Sequence, residues 1–228
     1  LIILIASLTS VVMSSLIKHV GQTIPVIEIL FVRQILVMII ISPVIFRNLG
    51  TVFKSSIYGM HFLRASLSVI AMYTGFTAVV NMPLAEVTAI TFARILFTTI
   101  LAIIFLKEII GMRRWISIII GFVGVLVIIH PDPDNINIYA LMAIVSALFV
   151  SGIQIVLRKL SQVDKPSTIL AFHSVFIALA MAVPTYYQWV MLNLDEMIYI
   201  LMIGILMSLM QWLFIQAFKA GEAAAIAP

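Results

Sequence analysis

Cysteine is absent from this chain and charge is scarce: of its 228 residues none is cysteine and only 10% are Asp, Glu, Lys or Arg. Without thiols there is no disulfide framework and no thiolate metal site. Soluble domains carry about 25% charged and 45–50% apolar residues. Here 64% are hydrophobic, so a water-soluble globule is excluded and the chain is read as an integral membrane protein. Catalytic signatures are missing as well. There is no His-Glu-x-x-His metal helix, no Gly-x-Ser-x-Gly elbow, no phosphate loop and no pairing of histidines with acids, so neither catalytic residues, metal nor cofactor is expected. The opening run lacks a basic leader region and a small-residue cleavage pattern, and is read as the first membrane helix rather than a signal peptide.

What the sequence does have is a series of long apolar runs. They lie near 1–17, 25–46, 58–80, 83–106, 114–130, 137–157, 167–187 and 197–218, with a ninth starting at Ala223. Each is close to the roughly 20 residues needed to cross a hydrocarbon core. The expected fold is therefore all-α, a polytopic membrane helix bundle truncated after about eight spans and the start of a ninth. A first residue other than methionine and an end within an apolar segment suggest a fragment.

The net charge of +4 could suggest nucleic acid, but the basic residues sit in short connections between apolar runs. Arg47, Lys54, Lys107, Arg113, Arg114, Arg158, Lys159, Lys165 and Lys219 follow even-numbered spans, and Lys18 alone lies in the opposite connections. This asymmetry predicts a cytoplasmic amino terminus. Asp132 and Asp134, in a proline turn on the opposite side, are read as a solvated loop rather than a Ca²⁺ site.

Small residues repeat. Ala6, Ser10 and Ser14 recur as Ala143, Ala147 and Ser151, 137 positions later, and Ala85 to Ile90 recur as Gly221 to Ile226 at an offset of 136. A unit of five spans would bring the second copy into the membrane upside down, the inverted arrangement of many carriers. The expected halves are residues 1–130, and 137–228 as an incomplete second copy. The stripes, with Ala71, Gly75, Gly121 and Gly124, are expected at helix contacts, where missing side chains let backbones approach.

Three arginines fall inside spans, where each costs at least about 2.5–3.5 kcal/mol at the helix centre unless it faces a partner, a cavity or the interface. Arg64 lies near a span end and can snorkel. Arg33 is about 12 Å into its span at 1.5 Å per residue. Arg94, eleven residues past Pro83, is near mid-depth and is the strongest site candidate. Glu28 and Glu86 lie toward the outer ends of their spans. Glu28 and Arg33 are about 140° apart round one helix, so any ion pair must form between helices, for example Glu28 with Arg94 or Glu86 with Arg33. A guanidinium facing a cavity could hold a carboxylate or phosphate through two N–H groups. Of the aromatic residues, Tyr73, Phe76, Phe92 and Trp212 could stack on a flat ligand. His61 and His173 could relay protons, and Gln154, Gln211 and Gln216 add polarity.

Spaced motifs carry a family resemblance: Glu28-x-x-Phe31-x-Arg33, His61-x-x-Arg64, Phe92-x-x-x-Leu96-Phe97, Phe105-Leu106-x-Glu108, Arg114-Trp115 and Gly121-Phe122-x-Gly124. The chain resembles EamA-type members of the drug/metabolite transporter superfamily over nearly its whole length. Where members often carry proline beside Arg94, this chain has Ile95, so the sequence supplies no proline to kink the fourth span. The resemblance implies two EamA repeats in the bacterial inner membrane. It also implies transport of an amino acid, a nucleoside-like metabolite such as S-adenosylmethionine, or a drug. The expected partners are a small-molecule substrate, the lipid bilayer and a coupling proton or ion, in a monomer or homodimer. The expected site residues are Arg94, Arg33, Glu28, Glu86, Tyr73 and Trp212. A membrane-embedded enzyme and a non-transporting scaffold are the alternatives.

Overall fold

The computed structural model describes residues 2–47, 49–107, 111–129 and 137–219, and among these every regular element is a helix. In chain order they are α1 (Ile2–Val20), α2 (Val26–Arg47), the single turn α3 (Leu49–Val52), α4 (Tyr58–Asn81), α5 (Leu84–Thr91), α6 (Ala93–Leu106), α7 (Met112–Ile129), α8 (Ile138–Val163), α9 (Pro166–Gln188) and α10 (Leu194–Lys219). Each of the eight long apolar runs is helical, the fourth as α5 and α6 together. Among the described residues five helices are long and apolar enough to cross a membrane: Val26–Arg47, Tyr58–Asn81, Leu84–Leu106, Ile138–Val163 and Pro166–Gln188. The start of a ninth span, the 221–226 segment of the repeat and the Asp132/Asp134 turn lie outside the described residues.

Boundaries follow backbone chemistry. Pro83 has no N–H and pushes Met82 into an extended conformation, φ −124° and ψ 159°, which ends α4 and starts α5. Pro166 opens α9, where a missing N–H costs nothing. α6 ends on Lys107 with φ 55°, the left-handed conformation common just past a helix. At α10 the cap is reciprocal. The Glu196 N–H donates to Asn193 Oδ1 at 2.9 Å, and the Asn193 N–H donates to Glu196 Oε2 at 2.9 Å. Glu196, just ahead of the apolar run, also accepts the Thr23 hydroxyl at 2.7 Å. The Asn193 N–H and this hydroxyl hold its carboxyl below the usual carboxylate range.

The chain forms two compact units. One comprises the segments up to Ser56 and from Asp164 on; the other is Ile57–Val163. In the first unit α2 packs on α9, and α10 on both α1 and α2. Val20, Ile24, Ile29 and Ile200 close one end of that unit; Ile45, Val52 and Ala171 form a second cluster, and the Ser55 hydroxyl donates to Asp164 Oδ2 at 2.7 Å. Gly204 gives α10 its closest approach to α2, since a Cβ there would lie 2.7 Å from Leu36 Cδ1.

In the second unit α8 is central, packed against α4, α5 and α6, while α7 packs on α5 and α6. The small-residue stripe does what its spacing implies: Ala143, Ala147 and Ser151 are all buried. Ala143 packs with Ala78, Met82, Val87 and Ile90. Gly75 sits where α4 meets α8, and a Cβ there would come 2.5 Å from Ser146 Oγ, whose hydroxyl donates to the Ala71 carbonyl at 2.8 Å. Gly121 and Gly124 depart from expectation, because nothing lies within 4 Å of a Cβ built on either. Instead of a tight contact they border an open apolar groove of about 520 Å³ shared with Leu84, Thr88 and Phe92.

Candidate functional site

The fourth apolar run is interrupted at Phe92, without proline. Its N–H reaches two carbonyls, Ala89 at 3.1 Å and Thr88 at 3.3 Å, and its own carbonyl accepts from Ile95 at 3.1 Å, a local tightening to three-residue turns. Threonines surround the break. Thr88 donates to the Leu84 carbonyl at 2.6 Å, Thr91 to Val87 at 2.8 Å and Thr99 to Ile95 at 2.8 Å, a back-bonding pattern that bends helices. Thr98 is the exception. Its hydroxyl crosses to α8 and donates to Gln154 Oε1 at 3.1 Å, while the carbonyl one turn behind it, that of Arg94, accepts from Ser151 Oγ of α8 at 2.9 Å.

Arg94 therefore starts a helix whose first turn is held by α8 through hydroxyls rather than by carboxylates. It is half-buried, and among the described residues its guanidinium makes no hydrogen bond or ion pair. Glu86, in the first turn of α5, is also half-buried, and no ion pair joins it to Arg94 among the described residues. Tyr73 on α4 is 40% exposed, its ring available to a ligand or to lipid. Arg64, expected to snorkel, is instead buried inside this unit, as is His61.

Glu28 and Arg33 belong to the other unit and are both buried on α2, with Gln34 beside them. The Glu28 carboxylate meets backbone rather than guanidinium: Oε2 accepts the Val190 N–H at 3.0 Å, fixing the connection after α9. Val190 lies two residues past the end of α9, where its N–H has no helical carbonyl to reach and a neighbouring carboxylate satisfies it. His173 lies in the same unit, buried on α9. The side chain of Trp212 lies outside the described residues. Sequence reasoning noted Gln154 without assigning it a role; its partner Thr98 gave no signal, because nothing in the spacing tells a hydroxyl that turns outward from one that back-bonds.

Apolar side chains cover the outside of these helices. Ile104, Phe105, Ile119, Ile120, Phe122 and Val127 are all at least 47% exposed, an arrangement stable against hydrocarbon and costly in water. No His, Cys, Asp and Glu cluster among the described residues could hold a metal. Apolar outer faces, helices of spanning length and polar groups collected between helices define a multi-pass α-helical membrane protein.

Residues 1–130 match the model of the EamA-like transporter family. The chain belongs to that family, and its class of activity is small-molecule transport across a membrane rather than catalysis. It is 28% identical over 212 residues to a riboflavin transporter of Vibrio cholerae, covering 90% of this chain and 70% of that one. It is 28% identical over 230 residues to an S-adenosylmethionine uptake transporter of Rickettsia felis, covering 100% of this chain and 76% of the relative. A pseudopaline exporter of Pseudomonas aeruginosa is 26% identical over 232 residues, 100% of this chain and 80% of that one. No solved structure matches the chain.

Proposed function

We propose that this chain is a secondary carrier for a small metabolite bearing a carboxylate, working by alternating access, with Arg94 as the group that recognises the acid. The observation that carries this reading is a guanidinium at mid-span, beside a helix break, with no ion-pair partner among the described residues. Burial of such a group is costly unless something compensates it, and a substrate carboxylate supplies a bidentate partner. Glu86 and Tyr73, in the same unit as Arg94, are the other members of the proposed lining.

The helix pairing supports an inverted repeat of five spans. If span one corresponds to six, two to seven and three to eight, the packing of α4 on α8 is the counterpart of α10 on α1. Under the same exchange, the pairing of α2 with α9 maps onto itself. The proposed halves are 1–130 and 137–228, with eight crossings, the amino terminus in the cytoplasm of a bacterial cell, residence in its inner membrane, and a proton or ion as the coupling species. The chain acts as a monomer or homodimer in this reading.

Among the relatives' named substrates, S-adenosylmethionine carries an amino-acid carboxylate and riboflavin has none. Radiolabelled uptake of each into proteoliposomes holding the full chain tests the reading. Uptake of S-adenosylmethionine exceeding that of riboflavin is expected; riboflavin uptake alone would contradict a carboxylate anchor at Arg94.

A further inference from the structure

We propose that Gln154 is a second recognition residue of the site formed at Arg94, presenting its amide NH₂ to a neutral acceptor on the substrate about one helical turn from the carboxylate. The proposal rests on the reading of Arg94 given above and adds a substrate class to it. Two cross-helix bonds set the register. Ser151 meets the Arg94 carbonyl and Gln154 meets Thr98, so α6 and α8 run in the same direction along this seam. Arg94 and Thr98, four residues apart on α6, share a face, and so do Ser151 and Gln154, three apart on α8. The guanidinium and the carboxamide therefore belong to one strip, separated along it by about 5–6 Å.

The amide is held in one orientation. Thr98 gives up the back-bond that Thr88, Thr91 and Thr99 all make and donates instead to Gln154 Oε1. The carbonyl that Thr98 leaves lies 2.9 Å from Ser151 Oγ, whose single proton it shares with the Ala147 carbonyl at 2.8 Å. With Oε1 engaged, Nε2 carries the remaining hydrogen-bonding capacity, two N–H donors. Gln154 is half-buried, and among the described residues Nε2 makes no hydrogen bond. A helix-to-helix contact alone needs only the Thr98 and Gln154 oxygens; the residual donors give the strip a second point of recognition. The guanidinium and amide donors of the strip fit a carboxylate with a carbonyl oxygen or ring nitrogen at that spacing.

The test uses the full chain in lipid nanodiscs and two probes, hexanoate and 5-oxohexanoate, which differ by one ketone oxygen. Affinities are read from ligand-induced thermal shifts. One net hydrogen bond is worth about 0.5–1.5 kcal/mol, so the ketone should bind about two- to twelvefold tighter. Gln154→Leu should equalise the two probes and leave hexanoate unchanged. Gln154→Asn, one methylene shorter and still polar, should do the same and serves if the leucine variant fails to fold. Thr98→Val should remove part of the preference by freeing the amide to rotate. A preference that survives both Gln154 variants overturns the proposal, as does a lowered melting temperature with an unchanged ratio. If Arg94→Ala leaves hexanoate affinity intact, the reading of Arg94 fails independently of Gln154. Binding of neither probe to the unaltered chain overturns both.

Discussion

Transport by Arg94→Ala is expected to fall at least about thirtyfold, because truncating one partner of a desolvated charge pair costs about 2–5 kcal/mol. The variant should nevertheless fold. The Ser151 bond goes to the Arg94 backbone carbonyl, which alanine retains, so α6 stays tied to α8. No side-chain bond of Arg94 to a described residue is lost. Arg94→Lys keeps the charge and loses the planar fork, and should lie between the two. Vesicle uptake with matched protein amounts, together with a detergent melting curve, separates recognition from folding. Transport surviving Arg94→Ala at normal expression would remove the recognition role.

The second large effect is on stability, at Gly75. A methyl group there would press on Ser146 Oγ at 2.5 Å, forcing that side chain to turn and give up its bond to the Ala71 carbonyl. Overpacking of this kind costs about 1–3 kcal/mol, to which a hydrogen bond between membrane helices adds on average about 0.6 kcal/mol. Gly75→Leu should cost more, since its side chain cannot be accommodated by one hydroxyl turning aside. Melting curves of Gly75→Ala, Ser146→Ala and the double variant form the cycle that checks this. The double variant should melt above Gly75→Ala, because Ser146→Ala removes the obstructing oxygen. Independent, additive effects would mean that α4 and α8 are not in contact at this point.

The parts of the fold governed by local chemistry could be read directly. Every long apolar run is a helix, Pro83 and Pro166 fall at helix starts, and the buried Ala143, Ala147 and Ser151 mark the face of α8 turned to its neighbours. What depends on a distant partner could not. The interruption at Phe92 is a local tightening of the turn, its N–H shared between the Ala89 and Thr88 carbonyls, whereas proline was the only breaker visible in sequence terms. Glu28 reads in sequence as able to pair with an arginine of another helix; it accepts the Val190 N–H, 162 residues away in the chain, because that N–H lies in a connection with no helical carbonyl to reach. Gly121 and Gly124 match a contact motif but border open space, since a glycine permits close approach without requiring it. For the site, depth alone singled out Arg94, and the hydroxyls that position it became visible only with the helices packed.

The most direct test of a carrier is trans-acceleration in sealed vesicles. Proteoliposomes containing the full chain are loaded with unlabelled S-adenosylmethionine or left empty, and entry of the labelled compound is timed. A binding site exposed to one side at a time returns faster when loaded, so preloading should speed entry several-fold, and Arg94→Ala should lose both rates. Entry that is equal in loaded and empty vesicles, or equal to that in protein-free liposomes, would contradict alternating access by this chain.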